Sequence, residues 1–102
     1  MRKQKIFRIK PYFKNLISHE SIDKNINNSD LVNEILSDFN FNRLNIKEMV
    51  NKPKLSKDNV QVVYRLDEMN INRFETFAQQ YDLKYSIVLN HIFEIYFSGN
   101  SK

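Results

Sequence analysis

Cysteine is absent from the 102 residues, which excludes disulfides, thiol nucleophiles and thiolate zinc sites together. Glycine occurs once and proline twice. A many-turned β-sandwich needs more of both, so the chain points to helix, and no glycine loop is available to cradle a phosphate. No apolar run approaches the length of a membrane span, and the basic start MRKQKIFRIKPYFK lacks the continuous apolar core of a signal peptide. A cytoplasmic protein with no membrane partner is the expectation. His19 and His91 are the only histidines and do not form a ligand-spaced pair. Asp30, Glu34 and Asp38 follow i, i+4 spacing, which reads as a solvated helix face. A non-enzymatic chain without cofactor or metal is expected.

What is present is a small globular composition: 41% hydrophobic and 27% charged residues, with eight Phe and five Tyr. That length supports one domain with a modest core. The net charge is +4, unevenly placed. Residues 1–57 hold twelve Lys and Arg against six Asp and Glu, and residues 58–102 hold four against six, so the two parts carry +6 and −2. A basic excess of this kind favours an anionic partner such as nucleic acid.

The sequence also repeats itself at an offset of 57 residues. Gln4 meets Gln61, Arg8 meets Arg65, Asn15 meets Asn72, Ser29 meets Ser86, Asn33 meets Asn90 and Ile35 meets Ile92. Apolar character matches as well, with Ile6 on Val63, Phe7 on Tyr64, Leu31 on Val88 and Leu36 on Phe93. An internal repeat governs the fold assignment. Each copy opens with an alternating run, QKIFRI or VQVVYRL, that reads as a strand with one apolar face. A helix follows, started by Pro11 in the first copy and capped by Asp67 in the second. In the second copy Met69, Phe74, Phe77, Ala78 and Tyr81 fall near one helical face, whereas the stripe of the first copy fades over SHESIDKN. After a break, a second amphipathic helix runs through Leu31, Val32, Ile35, Leu36 and Phe39, or Val88, Leu89, Ile92, Phe93 and Tyr96. Residues 1–40 and 60–98 are thus the two copies. Residues 41–59 form a basic linker in which RLNIKEMV spans about two helical turns and Pro53 breaks the rest.

A lone strand with two unpaired edges needs a partner, and the nearest is the other copy. Antiparallel pairing would turn Phe7, Ile9, Val62, Tyr64 and Leu66 onto a common core above four helices. Strand, helix, turn and helix, with Ser near the start of the second helix in NINNSDLVNEI and DLKYSIVLNHI, resembles the ribbon-helix-helix DNA-binding proteins. The resemblance is clearest over QVVYRLDEMNINRFETFAQQYDLKYSIVLNHIFEIYF. It implies a mainly α fold with a short two-stranded antiparallel ribbon, formed here by tandem copies as an intramolecular pseudodimer. The usual Gly of the interhelical turn is replaced by Asn25 and Asp82, residues that tolerate left-handed backbone.

On this reading Gln4, Ile6, Arg8, Gln61, Val63 and Arg65 form an outward face that enters the major groove of double-stranded DNA and reads bases. Arginine suits guanine, glutamine suits adenine, and Ile6 or Val63 suits a thymine methyl. Asn28, Ser29, Tyr85 and Ser86, at the starts of the second helices, are the expected phosphate contacts, because free N–H groups and the helix dipole favour anions there. Lys3, with Lys5, Lys10, Lys52, Lys54 and Lys57, adds general phosphate attraction. The resemblance implies a transcriptional regulator, a repressor in the first instance, with a second copy of the chain on an adjacent half-site. The alternatives are an accessory DNA-binding factor in plasmid or viral transfer, replication or partition, and a protein-interaction module whose anchors are Ile6 and Val63.

Overall fold

The computed structural model describes residues 1–51 and 57–99. Its elements run β1 (Arg2–Ile9), α1 (Pro11–Lys24), α2 (Asn28–Asp38), a 3-10 turn (Phe41–Arg43), α3 (Ile46–Val50), β2 (Val60–Asp67), α4 (Glu68–Gln80) and α5 (Tyr85–Gly99). The described residues are mainly helical, with one two-stranded antiparallel sheet among them. No described helix is long and apolar enough to cross a membrane.

The alternation of β1 and β2 decides which way the ribbon faces. Phe7, Ile9, Val62, Tyr64 and Leu66 are buried, as the pattern predicts, and meet Leu31, Val32, Ile35, Leu36, Val88, Leu89, Ile92 and Phe93 in one core. The register pairs Ile6 with Val63, Gln4 with Arg65 and Arg8 with Gln61. Ile6 and Val63 are themselves 57 residues apart, so the pairing is centred on equivalent residues and the strands relate to each other as the sequence copies do.

Helix ends obey the same relation. Asn25 and Asp82 have φ of 58° and 54°, the left-handed backbone that ends a helix. Ile26 N–H donates to Ser21 O and Leu83 N–H to Ala78 O, again 57 residues apart. Asn and Asp stand in for glycine because their short polar side chains tolerate this region.

The structure corrects three details. Asp67 precedes α4 but makes no side-chain cap; its carboxylate accepts from Arg2 Nε instead. Met69 is exposed, and Asn70 and Ile71 take the buried first-turn positions of α4. The fading stripe of α1 continues inward through Ser21, which is buried and has two acceptors in reach of its one O–H, Asn28 Oδ1 at 2.7 Å and Ser18 O at 2.9 Å. A small hydroxyl with its donor satisfied fills the place that Ala78 fills in the other copy.

The segment after α2 is more than a connector. Leu44 and Met49 are buried in the core, and Phe41 packs edge-on to Phe39 and Phe77. Arg73 of α4 lies 4.9 Å over the Phe41 ring and donates to the carbonyls of Leu36 and Phe39, where the dipole of α2 favours a cation. Lys52, Lys54 and Pro53 lie outside the described residues.

A buried amide holds the ribbon to the helices. Asn33 Nδ2 donates to Arg65 O and Ser29 O, and Asn33 Oδ1 accepts from Asp67 N–H and Asn70 Nδ2. Its counterpart Asn90 donates to Arg8 O and Ser86 O and accepts from Lys10 N–H. Asn33→Ala should therefore cost about 2 kcal/mol or more, since several buried groups lose their partners. Asn90→Ala, in a more exposed setting, should cost less; urea unfolding of both variants checks the order.

Burial pushes the Tyr64 phenol up to about 12. An unfolded tyrosine ionises near 10. Between these values the unfolded chain releases a proton that the folded chain keeps, so stability should fall as pH rises through that window, by roughly 1.4 kcal/mol per pH unit from this group. Tyr64→Phe should remove this part of the alkaline loss, measurable by denaturation at pH 9 to 11.

Candidate functional site

The six residues expected to point outward do so. Gln4, Ile6, Arg8, Gln61, Val63 and Arg65 are all exposed, with Ile6 at 60% and Val63 at 45%. Beneath them the opposite face is sealed by the core, so the two apolar residues are not fragments of it. They form the central pair of the ribbon and are flanked by Gln and Arg at each end.

The starts of α2 and α5 bracket this face through bonds to the outer edges of the strands. Ser29 Oγ accepts from Arg65 N–H at 2.9 Å, and Ser86 Oγ accepts from Arg8 N–H at 3.0 Å. Each hydroxyl thus takes one strand donor and keeps its own O–H to donate. Capping falls elsewhere: Asn27 Oδ1 accepts from Asp30 N–H at the start of α2, and the Lys84 carbonyl accepts from Ile87 and Val88 N–H at the start of α5. The N–H groups of the first helical residues, Asn28, Ser29, Tyr85 and Ser86, have no acceptor within their helices. Arg65, Asn28 and Ser29 line one open depression with Arg2 and Asn27, which brings an expected base reader beside two expected phosphate contacts.

The remaining expected residues are less uniformly placed. Tyr85 packs edge-on to Phe74, and its hydroxyl accepts from Gln79 Nε2, so its ring is directed toward α4. Lys3 is exposed, yet it shares the strand parity of Phe7 and Ile9 rather than that of Gln4 and Arg8. Lys5 is paired with Glu75 at 3.0 Å. Lys10 and Lys57 are exposed. Arg8 Nη2 donates to Asn59 O, which ties that guanidinium to the end of the ribbon.

Arg2 was not among the expected residues. It donates to Asp30 Oδ1 at 2.6 Å and Asp67 Oδ1 at 3.0 Å, and these bonds raise its pKa above the ordinary value. Its partners lie 28 and 65 residues away, beyond the reach of any local pattern.

No family model, curated protein or solved structure matches the chain. The function must be argued from the face itself.

A second constellation joins α3 and α5, where Glu48, His91 and Glu94 place ligand-type atoms within 4.8 Å of one another. His91 Nε2 accepts from Asn45 N–H at 3.2 Å, while Nδ1 stands 3.4 Å from Glu94 Oε1. In neutral imidazole one nitrogen accepts and the other carries the proton. The bond from Asn45 therefore occupies the Nε2 lone pair and puts the proton on Nδ1, so neither nitrogen is open to a metal in this arrangement. The arrangement fits a hydrogen-bond relay from α3 to α5. Added Zn2+ should leave the melting temperature unchanged, whereas His91→Ala should lower it; thermal denaturation with and without the metal checks both.

Proposed function

We propose that the chain is a tandem ribbon-helix-helix pseudodimer and a sequence-specific regulator that reads double-stranded DNA, acting as a repressor by occupying its operator. The observation that carries the reading is the exposed, paired face of Gln4, Ile6, Arg8, Gln61, Val63 and Arg65. Recurrence of strand pairing, turns and clamps at a single 57-residue offset supports the pseudodimer. A two-stranded ribbon fits the B-DNA major groove, about 12 Å wide. Side chains two apart on a strand are separated by about 6.8 Å, close to two base-pair steps of about 3.4 Å. Three residues per strand therefore sample several successive base pairs. The arginines supply paired donors for guanine, the glutamines a donor and an acceptor for adenine, and Ile6 and Val63 apolar contact for thymine methyl groups.

The exposed Ile6–Val63 pair also suits a protein partner, and salt separates the two readings. Binding to a pool of mixed duplexes at low salt should weaken steeply as salt rises, because phosphate contacts release counterions. Arg8→Ala with Arg65→Ala should abolish sequence preference while leaving weak, salt-sensitive binding. Each lost bidentate contact is worth about 1 to 3 kcal/mol of discrimination. Fluorescence anisotropy with selected and random duplexes measures both effects; no binding to any duplex would exclude the proposal.

A further inference from the structure

The 57-residue relation that orders the backbone does not extend to the charges at the two ends of the ribbon. At one end Arg2 and Asp67 stand opposite each other in the register, and Arg2 bridges Asp67 and Asp30. Their counterparts at the other end are Asn59 for Arg2, Lys10 for Asp67 and Ile87 for Asp30. Two carboxylates are thus replaced by an ammonium and an apolar side chain. The turn that starts α2 contains Asp30 and is preceded by Asn27, whereas the turn that starts α5 contains no acid and is preceded by Lys84.

Counting the strand ends and the helix starts that hold them makes the contrast explicit. Arg2 and Lys3 stand against Asp30, Asp67 and Glu68 at one end, a sum of −1. Over the positions equivalent at the 57-residue offset, Lys10 and Lys84 stand against Asp58 at the other, a side-chain sum of +1. The bond from Lys10 N–H to Asn90 Oδ1 fixes the Lys10 backbone against α5, the helix that Lys84 precedes. The reading arginines differ as well. Arg8 is tied to Asn59 O, while Arg65 makes no side-chain hydrogen bond among the described residues.

We propose that this face takes a duplex of non-palindromic sequence in one fixed orientation, gripping the backbone through Lys10 and Lys84 at one end and only weakly at the Asp30–Asp67 end. The inference rests on the duplex-DNA reading above. Phosphates approaching the first end meet two carboxylates and an arginine already committed to them. Phosphates approaching the second meet Lys84 and Lys10, whose ammonium lies over the Phe13 ring, with Asp58 as counter-charge and no acid in the first turn of α5. Backbone contacts carry no sequence information, so the unlike base contacts of a tethered Arg8 and an untethered Arg65 decide which half of the site lies against the Lys10–Lys84 end.

The test uses the full chain and the duplexes it selects from a random pool. Selected sites should have unlike halves, and phosphate ethylation should interfere mainly on one of them. Lys10→Gln with Lys84→Gln should lower affinity by about tenfold or more in moderate salt and reduce the slope of log K against log salt by about 2, at ~0.9 per lost phosphate contact. Arg2→Gln should have a much smaller effect on that slope, and Asp30→Asn with Asp67→Asn should extend interference into the weak half. Circular dichroism of each variant separates loss of contact from loss of fold. Like halves with even interference on both, or an unchanged salt slope in the double lysine variant, would overturn the orientation proposal while leaving DNA reading intact. Failure of the unaltered chain to bind any duplex would overturn both.

Discussion

Everything on the exposed face depends on how the outer edges of a two-stranded ribbon are satisfied. Each strand has one partner, so its far edge presents N–H and C=O groups that must bond to something. Asn33 and Asn90 answer this with side-chain amides, which accept and donate at once and therefore close two backbone positions each. Ser29 and Ser86 close a third on each strand. Because the partners come from helices rather than from further strands, the sheet stops at two strands and one face stays open.

That constraint also couples stability to the proposed contacts. The same serine that holds a strand N–H sits in the opening turn of the helix beside the reading face, so the strand and the helix start cannot move independently. Arg2 adds a second tie at one end by joining β1, β2 and α2 through two carboxylates. These ion pairs are partly exposed, and their value lies more in orientation than in free energy.

Much of this was legible in the chain. Alternation in QKIFRI and VQVVYRL gave the two strands and their buried residues, and the 57-residue offset gave the partner. Asn25 and Asp82 were readable as left-handed positions because few other residues fit them. The identities Ser29 with Ser86 and Asn33 with Asn90 were visible, but their work was not, since a polar residue on an amphipathic helix looks solvated until its partner strand is placed. Arg2, Asn70 and the His91 relay were hidden for the same reason: their partners are distant in sequence. The α1 stripe misled because a buried Ser21 breaks a pattern defined by apolar residues.

The route of the chain has a consequence for its synthesis. Arg8 and Lys10 are held by Ser86 and Asn90, partners 78 and 80 residues downstream, and β1 pairs only with β2. The first strand has no inner partner until β2 exists, and its outer edge is closed only by α5. At about 5 to 20 residues per second, it waits several seconds on the ribosome with Phe7 and Ile9 uncovered. Its density of lysine and arginine, with Arg2, Lys3, Lys5, Arg8 and Lys10 in one short run, keeps like charges apart on neighbouring nascent chains and discourages premature strand pairing.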